Sequence, residues 1–210
     1  MCKVIILAAS IILYTAMFSG CGKEDNPESN GQITPECYGF LEIYYQFDSP
    51  TGGYSLERNC GFIAHQTASV GWYNIPPPGN NMGCEKSVLL FFSELDTSLS
   101  IENAAFKFYM TDSGFIANGC SLMLNGIAHD FDNFPSYDSI IYDTLNYVFS
   151  AITSGYVELD ITEYMRSCII KGFVTFIIKP QKHTGESNSY GTLISLRKNG
   201  DQPQLILNSR

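Results

Sequence analysis

Four aromatic residues lie beside stretches that are rich in turn-forming residues, and their chemistry suits the binding of sugars. Trp72 and Tyr73 come shortly before a triple proline, Tyr54 follows two glycines, and Tyr137 lies in a polar, acidic segment. Aromatic faces pack against the apolar faces of pyranose rings, while neighbouring polar groups bind the hydroxyls. The four residues are therefore predicted to bind carbohydrate. The alternative is that Trp72 belongs to the core and that the tyrosines cover the ends of sheets.

A cluster of acidic residues follows in the same polar segment. Asp130, Asp132 and Asp138 place three carboxylates within a short stretch that also contains Asn133. Hard oxygen ligands of this kind suit Ca²⁺, although the spacing does not match an EF-hand loop. The sequence offers two hypotheses for this segment: a structural calcium site, or an acidic loop that is simply solvated.

The residue types needed for catalysis show no recognisable arrangement. His65, His129 and His183 are scattered, and no Gly-x-Ser-x-Gly motif is present. Carboxylates are too common for one pair to be singled out as a glycosidase pair. We therefore expect a protein without enzymatic activity, with a polysaccharide lyase or hydrolase as the less favoured alternative.

The N-terminal residues have the pattern of an export signal rather than of a folded element. Lys3 precedes an apolar run from Val4 to Phe18, and small residues come directly before Cys21. The pattern resembles a bacterial lipoprotein signal, which implies removal of residues 1–20 and attachment of acyl chains to Cys21. Such chains anchor a protein to a membrane. The alternative is an uncleaved N-terminal anchor helix.

Residues 21–35 are polar, acidic and rich in turn formers, so they are predicted to form a flexible tether. The run Lys23-Glu24-Asp25 resembles the acidic signals that direct lipoproteins of Bacteroidota to the cell surface, which implies an outer-membrane location. The alternative is a merely solvated spacer.

Charge and cysteine content restrict the partners and the compartment. The formal net charge is -9 and no basic cluster occurs, so we expect no nucleic-acid partner. None of the cysteines has the C-x-x-C spacing of a zinc site, and export permits disulfides. The five that follow Cys21 can form at most two bridges, and Cys168 is predicted to be a buried free thiol; the others are Cys37, Cys60, Cys84 and Cys120.

Residues 36–210 are predicted to form one domain of nine or ten short strands. The stretch from Gly155 to Pro180 shows the organisation clearly: an alternating strand, one short helix that ends near Gly172, and a second strand that is apolar on nearly every position. Asn125-Gly126 predicts a tight hairpin turn. Many short strands and a single helix favour an antiparallel sandwich of two sheets.

The order of these segments resembles the DNRLRE domain of secreted bacterial proteins from about Ile63 to Asn208. The segments that carry the resemblance are Lys86–Leu95, Ile101–Tyr109, Gly155–Thr162, Ser195–Arg197 and Pro203–Leu205. The resemblance implies an all-β, antiparallel jelly-roll β-sandwich with one short helix. That family is similar to carbohydrate-binding modules, some of which bind alginate-type polysaccharides.

Together these features predict a lipid-anchored lipoprotein of the outer membrane that acts as a non-catalytic carbohydrate-binding module. The expected partners are a polysaccharide or glycan, and the membrane through the lipid. The alternative is an adhesion or assembly module of the cell surface that binds an envelope protein.

Overall fold

The computed structural model describes residues 31–46, 54–60, 67–75, 82–111, 121–136, 139–151, 154–181, 189–197 and 201–209, and for 45, 46, 54, 60, 74, 75 and 82 it describes the backbone alone. Several predicted features lie outside the described residues. These are the signal peptide, Cys21 with its lipidation, residues 22–30 of the predicted tether, Cys120, Tyr137 and Asp138.

Twelve strands, one α-helix and one 3₁₀ turn lie in the described part of the compact unit Gln32–Arg210. They are β1 (Gln32–Ile33), β2 (Cys37–Gln46), β3 (Tyr54–Cys60), β4 (Thr67–Ile75), β5 (Met82–Phe92), β6 (Ile101–Thr111), β7 (Ser121–Ile127), β8 (Tyr142–Ser150), β9 (Gly155–Asp160), α1 (Thr162–Cys168), the 3₁₀ turn (Ile169–Lys171), β10 (Val174–Pro180), β11 (Tyr190–Ser195) and β12 (Gln204–Ser209).

All strand pairs are antiparallel. The strands run in the order β1-β12-β6-β11-β4-β5-β10-β7-β8, while β2 adds to β5, β3 to β2, and β9 to β6. The β5 and β6 regions face each other across the main core, where the ring of Phe106 lies 4.9 Å from that of Phe176 and 6.3 Å from that of Phe92. The predicted all-β, antiparallel sandwich with one short helix is confirmed. The described strands number twelve rather than the nine or ten predicted, and they are joined in one hydrogen-bonded sheet rather than in two separate sheets.

The strand, helix and strand predicted between Gly155 and Pro180 are confirmed as β9, α1 and β10. The Asp160 carboxylate accepts hydrogen bonds from the backbone N–H of Thr162 at 2.9 Å and from its hydroxyl at 2.6 Å, which holds the chain as it enters the helix. Gly172 then reverses the chain with φ 72°, a left-handed conformation that glycine adopts without strain. The helix buries Met165 and Cys168 in the main core.

The hairpin predicted at Asn125-Gly126 is wrong. Both residues lie inside β7, opposite Ile177 and Phe176 of β10. The glycine serves a close approach, because a Cβ atom on Gly126 would lie 2.4 Å from the hydroxyl of Tyr164. Tertiary packing on the helix has therefore overridden a local turn signal.

The folded unit begins before the predicted boundary at residue 36. Gln32 and Ile33, predicted to belong to the tether, form β1 and pair with Ile206 and Leu205 of β12. Within the described residues, no helix is long and apolar enough to cross a membrane.

A second apolar cluster lies on the other side of β5, away from the main core. Leu89 and Phe91 alternate with the core residues of β5, so this strand is buried on both faces. Phe131 and Phe134, from the described stretch 128–136, cover the cluster, and their rings lie 5.1 and 5.6 Å from the ring of Phe91.

Candidate functional site

An open cleft of about 230 Å³ lies where β2, β3, β4 and β5 meet. Its walls combine one aromatic ring, three charged groups and several hydroxyls. They are formed by Phe40, Leu41, Glu42, Glu57, Thr67, Ala68, Ser69, Lys86 and Ser87. The volume is below the roughly 300–1,000 Å³ of pockets for drug-sized ligands, so the cleft has room for about one small ring.

An ion pair crosses the cleft. Glu42 and Lys86 are directly opposite each other in the β2–β5 register, and Lys86 Nζ donates to Glu42 Oε1 at 2.6 Å. The other carboxylate oxygen accepts a short hydrogen bond from the hydroxyl of Tyr44. Both acceptor oxygens of Glu42 are therefore engaged, and the carboxylate is held in a fixed orientation.

The ionisation of the pair follows from these contacts. Burial raises the pKa of Glu42, but the hydrogen bonds from Lys86 and Tyr44 outweigh it, and the pKa ends below its ordinary value. Burial lowers the pKa of Lys86, and the hydrogen bond to Glu42 outweighs this effect, so the pKa is raised. The bond to Glu42 raises the pKa of Tyr44 to about 12. At neutral pH the pair in the cleft is therefore a carboxylate and an ammonium, and the phenol of Tyr44 that donates to Glu42 is neutral.

Tyr73 stands beside the cleft, on the same side as Lys86. Its hydroxyl is hydrogen-bonded to the hydroxyl of Ser69, and Lys86 Nζ lies 5.7 Å from the centre of its ring. The ring is half-buried. Of the two predicted sugar-binding residues whose side chains are described, Trp72 and Tyr73, the structure brings Tyr73 next to the cleft.

Trp72 lies on the buried side of the same strand. Its side chain is only 8% exposed and belongs to the main core. The ring packs on Gly83, where a Cβ atom would come within 2.1 Å of a ring carbon. A ring enclosed in this way presents no face to a sugar, which agrees with the alternative that Trp72 is a core residue. For Tyr54 only the backbone is described, at the start of β3.

The acidic segment is organised by its own hydrogen bonds. Asp130 accepts from the backbone N–H of Asn133 at 2.7 Å and from the side-chain amide of Asn133 at 3.0 Å. Asp132 is exposed. No group of three acidic, histidine or cysteine side chains that could hold a metal ion occurs among the described residues, a range that leaves out Asp138.

Two of the cysteines are free and buried. Cys168 is confirmed as a buried free thiol, and Cys84 is a second one, with burial raising the pKa of each to about 11. Cys37 is disulfide-bonded, and the backbone register sets Cys60 opposite it. With two free thiols, the five cysteines can form one bridge among themselves, fewer than the limit of two that their number allows.

Glu42 and Lys86 were missed by sequence reasoning. A charged residue inside the aromatic strand Phe40-Leu41-Glu42-Ile43-Tyr44 is the signal that was available. Its partner lies 44 positions away, so only the β2–β5 register identifies it.

Exposed apolar side chains lie together on or next to β8, the last strand in the strand order. Ile141, Tyr142, Tyr147 and Val148 are 38–59% exposed, on or next to β8. Within the described strands β8 pairs with β7 and ends the order, so it is an edge strand. Lys179 Nζ lies 4.2 Å from the ring centre of Tyr142.

A scan against protein-family models finds no match for the chain, and a search of curated proteins finds no similar sequence.

Proposed function

We propose that this protein is a lipid-anchored lipoprotein of the outer membrane whose β-sandwich binds carbohydrate without catalysis. The observation that carries the proposal is the cleft beside Tyr73. The walls of the cleft carry the Glu42–Lys86 pair and the hydroxyl of Ser69, and the half-buried ring of Tyr73 stands beside them, next to a space for about one sugar ring. Sugar sites use this combination of apolar faces and polar groups that fix the hydroxyls.

The binding proposal is tested by a glycan array and by titration of the mature protein, with and without Ca²⁺. Tyr73→Ala removes the ring beside the cleft, and we expect it to abolish the response or weaken it at least about tenfold, since covering a large apolar side chain is worth about 1.5–3 kcal/mol and 1.4 kcal/mol corresponds to tenfold. Tyr156→Ala, which removes a 50% exposed ring elsewhere, is the matched control. Absence of glycan binding by the wild type, or equal loss in both variants, contradicts the proposal.

The absence of catalysis is tested separately. The mature protein is incubated with a panel of neutral and acidic polysaccharides, and the products are separated by chromatography. We expect no new oligosaccharide and no unsaturated uronate. A product that increases with time and with protein concentration would contradict this part of the proposal.

The lipid anchor rests on the pattern that precedes Cys21. Metabolic labelling with a radioactive fatty acid is expected to mark the wild-type protein and not Cys21→Ser. Protease treatment of intact cells is expected to digest the wild-type protein if it faces outward. A Cys21→Ser variant that stays equally membrane-bound contradicts the anchor.

A second candidate is a module that binds an envelope protein, and the exposed apolar side chains at β8 favour it. Val148 is 51% exposed and Ile141 59%. In this case, chemical cross-linking in intact envelopes gives a defined adduct that Val148→Lys removes, whereas glycosidase treatment and Tyr73→Ala leave it unchanged. Loss of the adduct after glycosidase treatment speaks for carbohydrate instead.

A further inference from the structure

The Glu42–Lys86 pair sets a hydrogen-bond donor next to an acceptor in the wall of the cleft, given that the cleft is the binding site proposed above. Lys86 Nζ donates to Glu42 Oε1 at 2.6 Å, and both side chains line the cleft. Because the two charges cancel, the pair selects no ligand by its charge. It offers instead a fixed pattern of hydrogen-bonding groups.

Each member of the pair keeps hydrogen-bonding capacity beyond its described contacts. An ammonium has three N–H bonds, and the described hydrogen bond of Lys86 uses one of them. A carboxylate has about four lone-pair sites, and Glu42 uses two of them, for Lys86 and for the hydroxyl of Tyr44. Because about a third of each side chain in the pair meets solvent, the remaining donors and lone pairs serve water or a ligand.

These groups are held in place before a ligand arrives. Glu42 and Lys86 are directly opposite each other in the β2–β5 register, and Tyr44 holds the second oxygen of the carboxylate. Side chains that are already fixed lose little conformational freedom on binding. The pair therefore suits a ligand that presents an acceptor and a donor at a short and constant separation.

Two hydroxyls on adjacent carbons of a sugar ring match this pattern. A hydroxyl both donates and accepts, so one can accept from Lys86 while its neighbour donates to Glu42. Equatorial hydroxyls that are separated by a further carbon point away from each other, and they reach one member of the pair at a time. The other lining carboxylate, Glu57, already accepts from the side-chain amide of Asn59 at 3.0 Å, so the pattern depends on the ion pair alone.

We infer that the cleft recognises a sugar ring through two hydroxyls on adjacent carbons, one bound by Lys86 and the other by Glu42. These two residues determine specificity, whereas the ring of Tyr73 contributes apolar contact. A sugar that lacks either hydroxyl would cover a charged group and leave it without a partner. Sites that bind a hydroxyl reject analogues without it far more strongly than apolar pockets reject a missing methylene.

The test uses single sugar rings, because the cleft has room for about one. The methyl glycosides of glucose, mannose and galactose are titrated into the mature protein and followed by NMR, and the tightest binder is then compared with each of its monodeoxy derivatives. We expect deoxygenation at two adjacent carbons to weaken binding at least about tenfold in each case, and at the other carbons less than about threefold. Deoxygenation preserves the shape of the ring, so contact with Tyr73 is retained.

Two variants assign the sensitive hydroxyls to the pair. Lys86→Met and Glu42→Leu should each weaken binding of the parent glycoside at least about tenfold. In each variant, removal of the hydroxyl that the missing group bound should then cost less than about threefold, because the two changes remove the same contact. Glu158→Gln removes an exposed carboxylate from β9 and should leave every dissociation constant unchanged. The fluorescence of Trp72 verifies that each variant is folded.

Several outcomes would overturn the inference while leaving carbohydrate binding intact. They are sensitive hydroxyls on carbons that are not adjacent, penalties that persist in both variants, and equal binding of all the monodeoxy derivatives. In the last case the face of the ring alone would be recognised. If none of the three glycosides binds, the inference fails, and the glycan array decides separately whether the proposed function fails with it.

Discussion

The ion pair in the cleft can be measured by a double-mutant cycle, because each partner can be neutralised alone and both together. Glu42→Gln preserves the shape of the side chain, and Lys86→Met keeps its length without the charge. The two charged atoms are 2.6 Å apart, and the exposed fraction is 34% for the Lys86 side chain and 30% for that of Glu42. Each single variant leaves its partner half-buried without the opposite charge, whereas the double variant removes both.

The expected magnitude lies between two limits. Fully exposed pairs contribute about 0.2–1 kcal/mol, and hydrogen bonds to charged groups contribute about 1.5–3 kcal/mol where water is excluded. Because about a third of each side chain meets solvent, we expect a coupling free energy of about 1 kcal/mol in 0.1 M salt. It should decrease at 1 M salt, where the screening length is about 3 Å.

The stabilising contribution of the ion pair is expected to be lost both at acidic and at alkaline pH. The folded pKa of Glu42 lies below its ordinary value of 4.5, so its contribution is present above that value and is lost as the pH falls through the folded pKa. The folded pKa of Lys86 lies above its ordinary value of 10.5, so its contribution is present below that value and is lost as the pH rises through the folded pKa. The coupling should therefore be constant from about pH 5 to about pH 10.

Urea unfolding followed by the fluorescence of Trp72, the single tryptophan, gives the four free energies of unfolding. Glu158→Gln combined with Lys86→Met is the control cycle, and its coupling should be zero within error. A coupling below about 0.3 kcal/mol between positions 42 and 86, the level seen for independent sites, would refute the contact.

Three further predictions concern the packing and the cysteines. Gly126→Ala should lower the free energy of unfolding by about 1–3 kcal/mol, because the added carbon meets a buried tyrosine ring, and a change under about 0.5 kcal/mol in urea unfolding would contradict this packing. Cys84 and Cys168 should react with a thiol reagent only after denaturation, since both are buried and burial raises the pKa of each to about 11; fast labelling of the native protein would be inconsistent with their positions. From the backbone register we predict that Cys37 bonds Cys60, that unreduced peptide mapping recovers this pair, and that Cys37→Ser costs about 3 kcal/mol of stability; recovery of Cys37 with a different cysteine would disprove the pairing.

Much of the sandwich could be predicted because its strands carry their pattern locally. From Ala104 onwards, residues of β6 alternate between buried and partly exposed, and nearly all residues of β10 are buried. Both patterns can be recognised in the sequence of the strand itself. By contrast, β3 carries no such pattern, because Ser55 to Asn59 is largely polar, as suits a strand that pairs on one side, with β2, in the described part of the sheet. The pair Asn125-Gly126 led to the wrong prediction of a hairpin, because glycine is favoured both in a tight turn and where a strand packs closely on a helix.

The site was less predictable than the fold. Tyr73 and Trp72 are neighbours in sequence, but successive side chains of a strand point to opposite faces, and only the register decides which one meets the core. The Glu42–Lys86 pair joins residues 44 positions apart through the β2–β5 register. Such a contact is a property of the assembled sheet, and no local pattern in either strand specifies it.

The two-residue strand β1 has a mechanical consequence for a chain that is held by its N-terminus. Tension along that segment acts first on the pairs Gln32–Ile206 and Ile33–Leu205, which are the only ones that β1 forms with β12. Opening these pairs releases two residues, or roughly 7 Å of extended chain. Only then does the tension act on the hydrogen bonds that β2 forms with β3 and β5. Opening of β1 would thus lengthen the N-terminal segment by this amount under tension, while the other strands of the sandwich stay paired.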